Sequence, residues 1–423
     1  MSFSTLKSHI AAIALAVSLS FTCAVLIADE TVIAKAIPAP LSKVMLVGDS
    51  ITASYYPLVA NNLAGRAVVV KNPYNGLTAA HTHKRIKRWL RQAGRVDLVH
   101  WNNGLQDIGR EEYSILEYSE FLRGIIVKIH AADAKIIWAS TTPVHLKLIG
   151  RKYREGEIER FNGVATHLMQ LKDIPVNDLY KLVAKSPAKI YQPDGLHFNL
   201  EGMQILAAAV TRSIESHLPI HTPTTEQAGS LPAVLLLGDT FSAERYHGTV
   251  SRLLSGKARV LLPPNLKKNS TNVLAALPQW LKITGELDLV YWNCGLYDLC
   301  HIPTRKPERI ALENYLENLK GILKLLRDSG AQVVWATTTP IDAAKRSSGN
   351  GWWWDNSEIS KFNEAASKLM NKEGVLVSDL HAHVATNRRD YLQSSGRHLT
   401  AAGAERCGQV AADAIALMLK YNE

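Results

Sequence analysis

A chain of 423 residues, 47% apolar and 20% charged, has room for two or three compact units and the composition of a folded protein. It carries no collagenous, low-complexity or acidic-tail signature, which excludes disorder as a description of most of it. The formal net charge of +10 favours anionic partners: nucleic acid, acidic polysaccharide or a membrane surface.

The N-terminus narrows that choice. Lys7 precedes an uncharged, largely apolar stretch from Ile10 to Ala28 and then the small-residue site Ala34-Lys35-Ala36. Residues 1–36 are therefore expected to be a signal peptide cleaved after Ala36, with the mature protein periplasmic or extracellular. The competing expectation is an uncleaved anchor, since the stretch approaches the roughly 20 residues that cross a bilayer; membrane association would arise through this segment. An exported protein meets polysaccharide and membrane rather than nucleic acid. Phe21 and Thr22 are bulkier than lipoprotein processing sites accept, so Cys23 is not expected to be lipidated. Lys7 and Lys35 balance Asp29 and Glu30, so cleavage leaves the net charge unchanged. Beyond the leader only Cys294, Cys300 and Cys407 remain. An odd number without a Cys-x-x-Cys pair argues against a disulfide framework or a zinc knuckle, leaving packed thiols or one Cys294–Cys300 bridge.

In chain order, short β-branched runs alternate with longer amphipathic stretches. Val44 to Val47, Ala67 to Val70, Asp97 to Trp101, Lys135 to Ala139 and Ile174 to Val176 are predicted strands, with helical patterns such as Thr82 to Gln92, Tyr113 to His130 and Gly202 to His217 between or after them. Continuously apolar strands separated by helices predict a parallel sheet covered on both faces, with functional residues at the carboxyl ends of the strands.

The same order is then repeated. Gly48-Asp49-Ser50 returns as Gly238-Asp239-Thr240, the run from Asp97 to Asp107 returns from Asp288 to Asp298, Phe161-Asn162 returns as Phe362-Asn363, and Gly195-Leu-His197 returns as Gly396-Arg-His398. The predicted architecture is two tandem three-layer α/β/α domains of flavodoxin-like type, each with a parallel five-stranded sheet. They occupy 41–218 and 232–420 and are joined by a Pro- and Thr-bearing linker over 219–231. Strands of the second copy are expected near Val234, Arg259, Asp288, Gln332 and Val375.

Ser50 stands where the first strand turns toward a helix, a position that exposes a nucleophile and aims amide N–H groups at it. Gly-Asp-Ser alone is weak, and the bland alternative is a turn in which Ser50 caps the helix. Asp194-Gly-Leu-His197, after the fifth strand, adds a carboxylate that can hold imidazole Nδ1–H and leave Nε2 as a base toward Ser50.

With these blocks on view, the sequence resembles the SGNH (GDSL-type) serine hydrolases over nearly the whole of each repeat. It is closest to a branch whose third block reads Asn-x-Gly-Leu-His-Asp. The resemblance implies a catalytic triad of Ser50, Asp194 and His197, with Gly76 as the second-block glycine whose N–H holds the oxyanion beside that of Ser50. The family's usual Gly-x-Asn-Asp departs here to Gly104-Leu105-Gln106-Asp107. The side-chain donor is then Gln106 or Asn102, and Asn102 is preferred because the related branch keeps it. No metal or organic cofactor is implied. His81/His83 and His381/His383 lack a carboxylate framework for a metal and are expected at surfaces or helix ends.

In the second copy Thr240 replaces the serine, Ser395 stands at the place of Asp194, and Leu266 or Lys267 at that of Gly76, so it is expected to be a pseudoenzyme used for packing support or binding. Trp352, Trp353 and Trp354 cannot all face one core; they are candidate substrate-binding residues, with packing as the alternative. The expected function is hydrolysis of small acyl esters, chiefly acetyl, on a polysaccharide. The alternatives are a lipase or lysophospholipase and a non-catalytic carbohydrate-binding scaffold. Nothing in the sequence speaks to oligomeric state.

Overall fold

Val44 to Val47 are all buried, as an apolar run in the middle of a covered sheet requires. In the computed structural model, which describes residues 41–73, 78–108, 113–186, 188–218, 231–238, 243–264, 269–301, 310–345 and 353–420, that run is an interior strand of the first sheet. The leader 1–36 and all of the 219–231 linker but Leu231 lie outside the described residues. No described helix is long and apolar enough to cross a membrane.

The first copy runs β1 (Lys43–Val47), α1 (Ser50–Asn62), β2 (Val68–Lys71), α2 (Ala79–Ala93), β3 (Leu98–Trp101), a one-turn α3 (Leu105–Ile108), α4 (Ile115–His130), β4 (Lys135–Ala139), α5 (Glu157–Gln170), β5 (Val176–Asn177), α6 (Leu179–Ala184) and α7 (Leu200–His217). The second runs β6 (Ala233–Leu237), α8 (Ala243–Leu253), β7 (Arg259–Leu261), α9 (Ser270–Thr284), β8 (Leu289–Trp292), α10 (Leu312–Asp328), β9 (Gln332–Ala336), α11 (Asn356–Lys372), β10 (Leu376–Ser378), α12 (Leu380–Ala385), α13 (Arg388–Tyr391) and α14 (Ala401–Lys420). The sheets are all parallel, ordered β2-β1-β3-β4-β5 and β10-β9-β8-β6-β7. In each copy the first and last long helices, α1 with α7 and α8 with α14, pack together, while α2 packs on α4 and α9 on α10. The architecture is the predicted one: two tandem α/β units, each on a five-stranded parallel sheet.

Between the copies lies an extensive seam. Residues 41–423 form one compact unit, and α8 packs on edge strand β2 while α1 packs on edge strand β7, a pseudo-symmetric exchange. One apolar cluster runs from Val44 and Leu46 through Tyr56 to Val234, Tyr246 and Val250. Polar contacts set the register across it. The Asn61 side-chain amide donates to the Leu262 carbonyl at 2.9 Å and its Oδ1 accepts from the Leu262 N–H at 2.8 Å, so it pairs with the backbone as another strand would. Tyr56 Oη and His247 Nδ1, both buried, are 3.3 Å apart. Burial pushes the His247 imidazole down to about 4, so it is neutral in the seam.

Candidate active site

The chain leaves β1 through Gly48, whose backbone is bracketed by the Asn72 side chain: Gly48 N–H donates to Asn72 Oδ1 at 3.0 Å and Asn72 Nδ2 donates to Gly48 O at 3.1 Å. There is no room for a side chain here, since a Cβ on Gly48 would lie 2.1 Å from Thr52 Oγ1. Asp49, not Ser50, caps α1: its carboxylate accepts from the N–H of Ile51 at 2.9 Å and of Thr52 at 3.4 Å. Burial pushes the Asp49 carboxyl up and these two N–H groups oppose the shift. Ser50 is thus the first helical residue, half-buried, with its hydroxyl free to point away from the helix end.

The second arm is the turn between α6 and α7. A Tyr191–Phe198 bridge, with Gln192 N–H donating to His197 O at 2.7 Å, closes residues 191–198 into a tight hairpin. Gly195 makes the turn with φ +73°, a conformation that disfavours any other residue. Asp194 Oδ1 accepts from the N–H of Leu196 at 2.8 Å and of His197 at 2.9 Å, and its Oδ2 is 2.6 Å from His197 Nδ1. His197 Nε2 is 2.8 Å from Ser50 Oγ. Burial raises the Asp194 carboxyl, but the bonds from the His197 side chain and the two N–H groups outweigh it and hold the pKa below the ordinary value. The carboxylate is therefore ionised wherever the imidazole needs orienting. Ser50, His197 and Asp194, separated by 147 and 3 residues, stand in one hydrogen-bonded line at the carboxyl end of the sheet.

Gly76 lies outside the described residues. The two side-chain donor candidates are placed differently. Asn102 is buried and its Nδ2 donates to the Ala139 carbonyl at 2.7 Å, joining the ends of β3 and β4. Its counterpart Asn293 makes the same bond to Ala336 O at 2.9 Å in the copy that lacks the serine. Gln106 is half-buried and makes no side-chain hydrogen bond to a described residue; its counterpart is Tyr297. The bond that recurs in both copies is a joint of the fold, and Gln106 is present only where Ser50 is. Asp107, beside it, accepts from the Ala79 N–H at 2.7 Å and from Tyr113 Oη, hanging the start of α2 on the third block. Its burial pushes the carboxyl up to about 8.

In the second copy Thr240, Leu266 and Lys267 lie outside the described residues. Ser395 Oγ sits 2.9 Å from His398 Nδ1, a neutral partner in place of a carboxylate. Arg397, beside that histidine, lays its guanidinium 5.2 Å from the Trp354 ring. The tryptophan run divides. Trp352 lies outside the described residues. Trp353 is 38% exposed and stacks on His301 with ring centroids 3.5 Å apart. Trp354 is 5% exposed in the second copy's core and its Nε1 donates to Leu296 O at 2.5 Å. It is a packing residue, as is Tyr153 at the same repeat position, and leaves the substrate-binding set because no face of it is free to stack. Cys294, Cys300 and Cys407 are buried and outside any disulfide, so no Cys294–Cys300 bridge forms. Among the described residues no His/Cys/Asp/Glu group could hold a metal; His81 lies against its own helix cap Thr78, and His383 against Arg406.

Sequence reasoning missed a contribution from the second copy. Glu244 and Arg245, in the first turn of α8, reach the residues on either side of Asn72. Glu244 pairs with Lys71 at 2.8 Å, both side chains almost buried, and Arg245 donates to Pro73 O at 2.9 Å. The residue that brackets the Gly48–Ser50 turn is thereby held from the other repeat. No sequence signal marks it, because the bond to Pro73 spans 172 residues.

The family model for GDSL-like lipases and acylhydrolases matches the chain twice, over 46–205 and 230–406. Among solved structures, a lipase/acylhydrolase from Enterococcus faecalis is 24% identical, with 43% of this chain and 100% of that one covered and a TM-score of 0.39. A carbohydrate esterase family 3 protein from Talaromyces cellulolyticus is 21% identical, covering 42% and 97%, TM-score 0.36. A GDSL-like lipase from Bacteroides thetaiotaomicron is 20% identical, covering 42% and 89%, TM-score 0.37. A search of curated proteins returned no match.

Proposed function

The chain belongs to the GDSL-like lipase/acylhydrolase family, and from that premise we propose that it is an exported serine esterase that removes small acyl groups, chiefly acetyl, from carbohydrate, using the first repeat alone. The observation that carries this reading is the unbroken line Ser50 Oγ, His197 Nε2 and Nδ1, Asp194 Oδ2, with steps of 2.8 and 2.6 Å.

In the proposed reaction His197 Nε2 takes the Ser50 proton as Oγ attacks the ester carbonyl. The carbonyl oxygen gains the negative charge and is held by the N–H of Ser50 and Gly76 and by one side-chain amide. Gln106, which has no such tie, fits that last role better than Asn102, which gives one of its two Nδ2 hydrogens to Ala139 O. The imidazolium, steadied by ionised Asp194, protonates the departing sugar oxygen as the ester bond breaks, releasing the sugar hydroxyl. Water, deprotonated by the same nitrogen, then attacks the acyl enzyme, and Ser50 leaves with the proton returned. Every proton moves through one imidazole, so the step needs no further group.

The second copy supports a non-catalytic reading, since Ser395 cannot supply the charge that Asp194 supplies. The test is a panel: nitrophenyl acetate against long-chain nitrophenyl esters, and acetate release from acetylated polysaccharides. Preference for the short ester together with acetate release from a polysaccharide supports the proposal. Preference for long acyl chains would replace it with a lipase, and no turnover of any ester would leave a binding scaffold.

A further inference from the structure

Helix α2 begins at the site, because Ala79 N–H hangs on Asp107, the residue after Gln106. Its inward face is apolar, with Ile86, Trp89 and Leu90 buried. Its outward face carries Lys84, Lys87, Arg88 and Arg91, all exposed, and the helix contains no acidic residue. Positions three, four and seven apart share one face, so these four cations form a single row. At 1.5 Å per residue the row starts about 8 Å and ends about 18 Å along the helix from Ala79. Exposed Arg95 follows just past the helix end. Lys128, whose Nζ donates to His83 O at 2.7 Å, adds a cation from α4. Burial first, and then the charge of Lys87, holds its ammonium below the ordinary value. None of the four row residues forms an ion pair with a described residue.

The repeat supplies an internal control. Helix α9 occupies the same place in the second copy and buries the same kind of face through Val273, Leu277 and Trp280. At the row positions it has Ala275, Pro278, Gln279 and Lys282, one charge instead of four. The fold therefore does not require the charges; they accompany the copy that has the nucleophile.

We propose that the outer face of α2 is a docking track for an anionic glycan, one whose sugars carry carboxylates, and that the track leads its acylated residues to Ser50. This rests on the esterase reading and narrows its substrate to an acylated polyuronate. A row of separated point charges suits a chain with one carboxylate per sugar. A membrane-inserting face would add exposed apolar side chains beside the cations, and a single-stranded nucleic acid would call for exposed aromatic rings. Among the α2 residues, every aromatic or large aliphatic side chain is turned inward.

The experiment compares the full chain with a variant carrying K84Q, K87Q, R88Q and R91Q. The readouts are retention on immobilised polygalacturonate, acetate release from acetylated polygalacturonate and from acetylated xylan, and nitrophenyl acetate hydrolysis. The full chain should be retained at low salt and released by about 1 M NaCl, where the screening length falls to about 3 Å. The variant should lose retention and about tenfold or more of its rate on acetylated polygalacturonate, while xylan and nitrophenyl acetate rates stay within about twofold, because tethering changes local concentration and not chemistry. Equal losses on polygalacturonate and xylan, or unchanged retention, would overturn the track. So would stronger retention of the full chain by phosphatidylglycerol vesicles than by polygalacturonate at the same ionic strength. If the full chain cleaves no ester, the esterase reading fails, while retention still decides whether the track exists.

Discussion

At the residue scale the site is a division of labour among polar groups that the strings of sequence present alike. Asp49 and Asp194 each adjoin a glycine, yet Asp49 spends its carboxylate on the end of α1, while Asp194 keeps one oxygen for the backbone and one for His197. The motifs Gly-Asp-Ser and Asp-x-x-His single out three side chains, Ser50, Asp194 and His197, that the structure brings into one hydrogen-bonded line, because a local turn fixes the latter pair and a strand end fixes the former. They were not enough to choose between Asn102 and Gln106, since an amide bond to Ala139 depends on how β3 and β4 meet. The placement leads to opposite phenotypes. Gln106→Ala should lower kcat by about a hundredfold with KM little changed, as when a donor acts mainly on the transition state. Asn102→Ala should instead lower Tm, because it leaves the buried Ala139 carbonyl without its donor, at a cost of about 1–3 kcal/mol. Steady-state kinetics and thermal melts of the two variants check this, and a kcat loss confined to Asn102→Ala would reverse the assignment.

At the scale of elements, hydrophobic runs located the strands to within a residue or two: Val44 to Val47 became Lys43–Val47, and Lys135 to Ala139 was met at both ends. Helix starts were less legible. Thr82 to Gln92 is the apolar-periodic core of α2, but Thr78 caps the helix four residues before the first periodic position. The tryptophan run illustrates the other limit, since adjacency shows that three rings cannot share a core but not which ring faces in. Trp354 does, at the position of Tyr153. The α8 turn bearing Glu244 and Arg245 was invisible because its partners lie at the end of β2 of the other repeat and just beyond it. Its bond to Pro73 O adjoins Asn72, which brackets Gly48, so under the proposed function Arg245 is a positioning residue. Arg245→Ala should lower kcat for nitrophenyl acetate by about tenfold, the scale of a small misplacement of reacting atoms, with KM nearly constant. Arg245→Lys, which can still reach the Pro73 carbonyl, should recover part of the loss. A change confined to Tm, with kcat untouched, would show the contact to be merely structural.

At the scale of the whole molecule, the two copies share an apolar cluster, and residues 41–423 form one compact unit. The sequence pattern was silent here because seam residues such as Tyr56, Tyr246 and Val250 satisfy the same helical periodicity whether they cover their own sheet or the neighbour's. Residues 41–218 expressed alone would expose β2 and the inward face of α1, so they should be less stable than the full chain and aggregate on heating. A melt as cooperative and as high as that of the full chain would argue against a supporting role for the second copy. The seam also predicts a pH response. His247 is held neutral with a pKa of about 4 against an ordinary 6.5, so the unfolded chain binds more protons between those values. Its contribution to stability is whole above about 6.5 and is lost as pH falls toward 4. The Tm difference between the full chain and His247→Gln should therefore shrink on acidification across that window. A difference independent of pH would mean that the seam leaves the imidazole at its ordinary pKa.

The central claim, that one repeat does the chemistry through Ser50, is tested most directly by treating the full chain with a serine-reactive phosphonate and locating the adduct by peptide mass spectrometry, alongside nitrophenyl acetate rates for Ser50→Ala and Thr240→Ala. The predicted result is a single adduct on Ser50, no activity in Ser50→Ala and near-normal activity in Thr240→Ala. An adduct on Thr240, or equal losses from the two substitutions, would contradict it.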